Sequence, residues 1–237
     1  MFVLSRLLRA VAPSDGAAAG SQSMTIRPQA GFTLLELLAV IALMAVVAGT
    51  AVLAYDGVQD QGRQDATRFE MAEVRKALLQ FRRDSGSNDL PGQGAYDCEE
   101  LADEAIANGR PATWPAAPAV PVVNNTNKAD WITWCQHPAN FWMLFVDPLG
   151  GGWNPDTHRG WNGPYLQRKS GLLSYAGIDN LSVIIDAYQA PYLMLDLNDA
   201  VRARLLSIGP DRTDNNPSPS SCQIASTGDD TLLCLLR

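Results

Sequence analysis

The pattern of apolar and polar positions begins with one long apolar run, from Phe32 to Ala54. The run contains no Pro, Lys, Arg or Asp, and its single charged residue is Glu36. About 20 consecutive apolar residues are enough for a helix to cross the hydrocarbon core of a bilayer. We therefore predict that residues 32–55 form a transmembrane helix.

After Tyr55 the pattern becomes that of an amphipathic helix, in which apolar residues recur every three or four positions. Gly86 and its polar neighbours then supply a turn that ends the helix. We predict one helix from Phe32 to about Asp84, with residues 56–88 as its amphipathic half. The apolar stripe of this half is expected to pack on a core and consists of Phe69, Val74, Ala77, Leu78 and Phe81.

Residues 89–158 are a long variable region rich in proline and tryptophan. Glu99–Asn108 predicts a short helix, and the Pro- and Ala-rich stretch 110–127 predicts an extended surface loop. The tryptophans form either an aromatic patch for a partner or glycan or, as we favour, a small satellite core held by Cys135. They are Trp114, Trp131, Trp134, Trp142, Trp153 and Trp161.

The last third of the chain has the pattern of short strands. Apolar runs of strand length occupy residues 181–186, 191–197, 203–208 and 231–236. Their short connections favour antiparallel pairing. The predicted fold class is therefore α+β, with the amphipathic half of the helix packed on a small antiparallel sheet formed by residues 159–237.

Charge orients the predicted transmembrane helix. Before Phe32, Arg6, Arg9 and Arg27 outnumber Asp15, whereas the whole chain has a formal net charge of −7. By the positive-inside rule, residues 1–31 lie in the cytoplasm and the residues after Tyr55 lie outside. An acidic body disfavours nucleic acid and anionic membrane surfaces as partners and suits cations.

Four cysteines, an even number in a chain predicted to face outside the cytoplasm, favour disulfide bonds. Three pairings are possible, and we favour Cys98 with Cys135 and Cys222 with Cys234, because each pair closes the shorter loop. The alternatives are four reduced buried thiols, or a zinc site built on Cys135 and His137, for which the usual ligand spacing is missing.

The apolar run starts directly after a glycine, in the sequence GFTLLE at positions 31–36. This stretch resembles the cleavage and methylation motif of type IV pilins and of type II secretion pseudopilins. The resemblance implies that a prepilin peptidase removes residues 1–31 by cutting after Gly31 and then methylates the new amino group of Phe32. The alternative is a simple signal anchor in which Glu36 is an unexplained intramembrane charge.

Glu36 has a physical role if this resemblance holds. It lies four residues after Phe32, on the same helix face and at the helix end where an anion is favoured. In a filament core, Glu36 of one subunit would neutralise the Phe32 ammonium of its neighbour. Because an unpaired buried charge is expensive, such pairing would fix the register of assembly.

Two further stretches resemble turn-plus-strand elements of the major, or G-type, pseudopilins of type II secretion. They are GWNGPYL at 160–166 and DAYQAPY at 186–192. The second departs from that family at Ala187, Gln189 and Ala190.

Residues 207–211 and 228–230 are similar to the two ends of the C-terminal calcium loop of that family. The resemblance implies calcium ligands at Ser207, Asp211, Asp229 and Asp230. The acidic character of the loop adds Asp214 as a candidate, since calcium takes six to eight oxygen ligands. The alternative is a solvated acidic turn held by the Cys222–Cys234 disulfide.

These features predict a non-enzymatic filament subunit. The expected protein is anchored in the inner membrane by one helix, has its C-terminal domain in the periplasm, and joins a type II secretion pseudopilus. Its expected partners are copies of itself, a prepilin peptidase, other pseudopilins and the inner-membrane secretion platform. The alternatives are a type IV pilin or minor pilin, and a membrane-anchored binding domain that does not polymerise. Catalysis is not expected, because hydrolase, zinc-protease and phosphate-loop motifs are missing from the sequence.

Overall fold

The computed structural model describes residues 31–109, 127–167, 172–217, 219–223 and 228–236, without the side chains of residues 52–56. The leader to residue 30, Trp114 and nearly all of the predicted loop 110–127 lie outside the described residues. The chain divides into two compact units, Met1–Ala51 and Val52–Arg237.

The long helix α1 spans Leu34–Asp84. Its stretch Leu34–Ala51 belongs to the first unit, has a mean hydropathy of 2.4 and has no buried residue. By length and composition this stretch is able to cross a membrane. The helix ends where the sequence predicts, because Gly86 adopts a φ of +81° that favours glycine over other residues.

In the second unit, one stripe of α1 is buried. The stripe consists of Thr67, Met71, Val74, Ala77, Leu78 and Phe81. The prediction that Phe69 belongs to it is wrong, since the Phe69 side chain is 69% exposed. Two residues of helix turn the chain by about 200°, so Phe69 points away from the face that carries Thr67 and Met71.

Two shorter helices follow, α2 at Cys98–Asn108 and α3 at Lys128–Cys135. The helix α2 confirms the prediction to within one residue, and its N-terminus is capped by the Asp97 carboxylate, which accepts from the Glu99 and Glu100 backbone N–H groups. The helix α3 was not predicted. Single 3₁₀ turns occur at Gly94–Tyr96 and Trp142–Leu144.

Three tryptophans of the variable region are part of the main core. Trp131, Trp134 and Trp142 are buried in the same hydrophobic cluster as the α1 stripe and the strands. Their burial agrees with the prediction that the tryptophans form a core and not a surface patch. The expectation that this core is separate from the main one is wrong. Their ring centroids lie 5.7–6.4 Å apart, in the range of favourable aromatic pairs.

The described strands form three small antiparallel sheets. Strands β1 (Trp153–Asn154) and β2 (Arg159–Gly160) pair, as do β3 (Leu172–Tyr175) and β4 (Ile178–Ser182). The third sheet has the order β5 (Leu193–Leu195), β6 (Arg204–Ser207) and β7 (Thr231–Cys234).

Three of the four predicted strands are therefore found, each shorter than predicted. The strand predicted at 181–186 is mostly wrong, because β4 ends at Ser182. Residues 183–186 instead lead into a turn in which Asp186 Oδ1 accepts from the backbone N–H groups of Tyr188 and Ala190. The strand expected within 160–166 is also not found after Gly160.

The second unit has one core shared by α1, α2, α3 and the strands. Two polar contacts join α1 to the three-stranded sheet region. Arg75 Nε donates to the Cys234 carbonyl at 2.8 Å, and the Tyr192 hydroxyl reaches Glu70. The result is the predicted α+β, pilin-like fold.

Candidate functional site

The N-terminal site begins just before α1. Gly31, Phe32 and Thr33 precede the helix, and Thr33 caps it. The Glu36 backbone N–H donates to Thr33 Oγ1 at 3.2 Å and lies 3.1 Å from the Thr33 carbonyl. Thr33-x-x-Glu36 is the sequence pattern of a capping box. The role of Thr33 was missed, although this pattern is readable in the sequence.

Glu36 lies in the first turn of α1 and is exposed. The unsatisfied N–H groups at a helix start create a positive potential that favours a carboxylate there. Phe32, the residue predicted to become the new N-terminus, is 77% exposed. Phe32 and the Glu36 carboxylate are thus both exposed at one end of an apolar helix. No residue of its membrane-length stretch Leu34–Ala51 is buried.

The predicted disulfides are both present. Cys98 is bonded to Cys135, and their Cα atoms lie 5.9 Å apart. This bond joins the start of α2 to the end of α3. Cys222 is bonded to Cys234 at a Cα separation of 5.5 Å, which ties the C-terminal loop to β7.

The acidic loop is the segment from Ser207 to Asp230. At its start, the Ser207 hydroxyl has a protein partner. It donates to Asp186 Oδ2 at 2.5 Å, and the Ser207 side chain is buried. Asp186 therefore receives three hydrogen bonds, from Ser207 and from the turn after it. The Ser207 hydroxyl therefore stabilises the turn that follows Asp186.

Two of the predicted carboxylates, those of Asp229 and Asp230, cross-link the two ends of the loop. Asp229 Oδ2 accepts from the Asp211 N–H at 3.1 Å, and Asp230 Oδ2 accepts from the Asn215 N–H at 2.9 Å. Gly209 has a φ of +62°, and a Cβ at this position would lie 2.6 Å from Asp229 Oδ2. Only glycine leaves room for this close approach.

The carboxylates of the loop repel one another. Burial raises the pKa of Asp230, and the negative charges of Asp214, Asp229 and Asp211 raise it further, against the lowering effect of the Asn215 N–H. Because these negative charges repel one another, a positive charge beside them would stabilise the loop.

The fifth candidate ligand, Asp214, lies beside a positive charge of the protein itself. Its Oδ2 is 4.0 Å from Arg204 Nη2, and its Oδ1 accepts from the Asn216 N–H at 2.9 Å. Among the described residues, no group of three or more His, Cys, Asp or Glu side chains is arranged to hold a metal ion. Ser207 and Asp214 thus have protein partners in this structure, and calcium binding at the five candidate residues stays a prediction.

A groove of about 810 Å³ lies elsewhere in the second unit, between residues 89–97, 135–143 and 194–202. Its charges are partly paired with one another. Arg202 contacts Asp199 at 2.8 Å and Asp196 at 4.0 Å. The sequence did not predict this groove, because it is assembled from three segments that are distant along the chain.

Comparison with known proteins identifies one family model. Residues 26–52 match the prokaryotic N-terminal methylation motif. No curated protein and no solved structure matches the chain. The matched segment contains Gly31, Phe32 and Glu36, and it implies processing by a prepilin peptidase, membrane anchoring and assembly into a pilus-like filament. The motif and the α+β fold together indicate a protein of the broad class of type IV pilins and pseudopilins.

Proposed function

We propose that this protein is a structural, non-enzymatic subunit of a periplasmic pseudopilus that drives protein export through a type II secretion system. The observation that carries the proposal is the processing motif at the start of α1, with Glu36 in the first helical turn. The stretches 160–166 and 186–192 support secretion over a surface fibre, because they resemble elements of the major pseudopilins.

The mechanism of assembly follows from two charges at the end of an apolar helix. Cleavage after Gly31 would leave a positive ammonium on Phe32, and methylation keeps that charge. In a single subunit this ammonium and the Glu36 carboxylate lie near the membrane surface, where water solvates both. In a filament they enter an apolar interior, where each requires an opposite charge from a neighbouring subunit.

The proposal also gives the protein an orientation in the inner membrane. The leader remains on the cytoplasmic side, residues 34–51 cross the inner membrane, and the second unit faces the periplasm. Other pseudopilins and the inner-membrane platform are the proposed partners. The two disulfides are consistent with an oxidising compartment.

Co-expression of the full chain with a prepilin peptidase tests the assembly step. Glu36→Leu is expected to leave cleavage at Gly31 intact, as read by mass spectrometry of the mature N-terminus, and to abolish chemical crosslinks between copies. Leu38→Ala, an exposed apolar position on the same segment, is the matched control and should crosslink normally. Normal crosslinking of Glu36→Leu would show that the charge pairing is wrong.

Complementation distinguishes secretion from the type IV pilus alternative. The gene is introduced into one strain that lacks its major pseudopilin and one that lacks its major pilin. Recovery of protein export in the first strain is expected, whereas surface fibres in the second strain alone would favour a pilin. A strictly monomeric mature product would favour a non-polymerising binding domain. The aromatic patch for a partner or glycan would be the binding site of such a domain, but Trp131, Trp134 and Trp142 are buried.

A further inference from the structure

A buried arginine lies beside the acidic loop. Arg204 is on the central strand β6, opposite Leu195 of β5 and Cys234 of β7, and is only 1% exposed. A guanidinium removed from water is strongly destabilising unless opposite charges and hydrogen-bond acceptors surround it. Its partners therefore identify what the charge holds in place.

Two of these partners come from different parts of the chain. Arg204 Nη1 forms an ion pair with Asp196 Oδ2, directly after β5. Its Nη2 lies 4.0 Å from Asp214 Oδ2 and donates to the Pro217 carbonyl at 3.4 Å. One guanidinium thus joins the end of β5 to residues 214–217 of the acidic loop.

We propose that Arg204 is a built-in cation of the acidic loop, and that the loop folds around this side chain without a metal ion. A calcium ion bound by Asp214 would lie within a few ångströms of the guanidinium, and the two positive charges would repel each other in a region of low dielectric. This role of Arg204 is independent of whether the protein forms a secretion filament or a surface fibre.

Among the described residues of the loop, other bonds also need no metal. The Asp229 carboxylate accepts a hydrogen bond from the Asp211 backbone N–H, and the Asp230 carboxylate accepts one from the Asn215 backbone N–H. The disulfide Cys222–Cys234 holds the chain beside Arg204, because Cys234 is the β7 residue opposite Arg204. Arg204 supplies the positive charge that these neutral and covalent links cannot provide.

The test is thermal unfolding of the full-length chain in detergent, in EDTA and in millimolar calcium. The wild-type Tm is expected to be the same in both. Arg204→Met removes the charge at similar volume and is expected to lower Tm by roughly 6 °C or more, because Asp214 loses its arginine partner and Asp196 keeps only the more distant Arg202. Arg212→Met, at an exposed arginine of the same loop, is the matched control and should have little effect.

Asp214→Asn keeps the proposal testable if Arg204→Met does not fold. Limited trypsin digestion reports on the loop directly, since Arg212 is an exposed cleavage site within it. Asp214→Asn is expected to be cut faster at Arg212 than the wild type in EDTA, and calcium should protect neither protein. A calcium-dependent rise in the wild-type Tm that is lost in Asp214→Asn would overturn the proposal. Unchanged cleavage of Asp214→Asn in EDTA would overturn it as well.

Discussion

The Tyr192 hydroxyl lies 3.2 Å from Glu70 Oε2 and 3.4 Å from the Thr67 carbonyl. This contact joins the segment that leads into β5 to the buried face of α1. The Tyr192 side chain is fully buried. Burial raises the pKa of its hydroxyl strongly, and the negative charge of Glu70 raises it further.

Tyr192→Phe is expected to lower the free energy of unfolding by about 1.5–3 kcal/mol, the range for a hydrogen bond to a charged group. Equilibrium denaturation at pH 7 measures the change. Glu70→Gln is the comparison, because it keeps an acceptor and removes only the charge, and its effect should be smaller. A larger effect for Glu70→Gln than for Tyr192→Phe would contradict this account.

The same tyrosine predicts a pH dependence. Its pKa is raised in the folded state, so its contribution to stability is complete below the ordinary tyrosine pKa of 10.0 and is lost as the pH rises above it. The wild type should therefore lose stability more steeply than Tyr192→Phe above about pH 10. Chemical denaturation at pH 8 and at pH 11 measures this difference, and equal losses for the two proteins would contradict it.

Thr67→Val is expected to be neutral or stabilising. The Thr67 side chain is fully buried, and its hydroxyl has no hydrogen-bond partner among the described residues. Valine has nearly the same shape and removes a polar group that has lost its contact with water. Thermal unfolding should show an equal or higher Tm, whereas a fall of several degrees would indicate that the hydroxyl is hydrogen-bonded.

Asp230→Asn is expected to raise stability at pH 7. The pKa of Asp230 is raised above 3.8, so the folded state favours its neutral form and the ionised form is unfavourable at neutral pH. The asparagine carbonyl can still accept from the Asn215 N–H. The advantage of the variant should shrink as the pH falls towards 4, where the wild-type carboxyl takes up a proton. Destabilisation at pH 7 in EDTA would contradict the prediction.

Removal of either disulfide should destabilise the second unit, by unequal amounts. The Cys98–Cys135 bond spans 37 residues and the Cys222–Cys234 bond spans 12. Loop-closure entropy predicts losses of about 4 and about 3 kcal/mol for the paired serine variants. Denaturation of each double variant under oxidising conditions measures them, with reduced wild type as the reference for loss of both.

Local sequence determined much of this protein. The unbroken apolar run, the GFTLLE stretch and Gly86 fixed the transmembrane-length helix, its processing motif and its C-terminal end. These features depend on neighbouring residues, because helix periodicity, capping and peptidase recognition all act within a few positions of the chain. The pairing of the cysteines was also predictable, because loop length ranks the possible partners.

Tertiary structure alone decided which charges meet. The sequence placed Phe69 in the core and did not show which groups Ser207 and Asp214 would contact. In the fold, the helix face carrying Thr67 and Met71 is buried instead, Ser207 binds Asp186, and Asp214 lies beside Arg204. Partners such as Arg204 and Asp196 are brought together by strand register, and the strength of their interaction depends on burial, which only the packed structure defines.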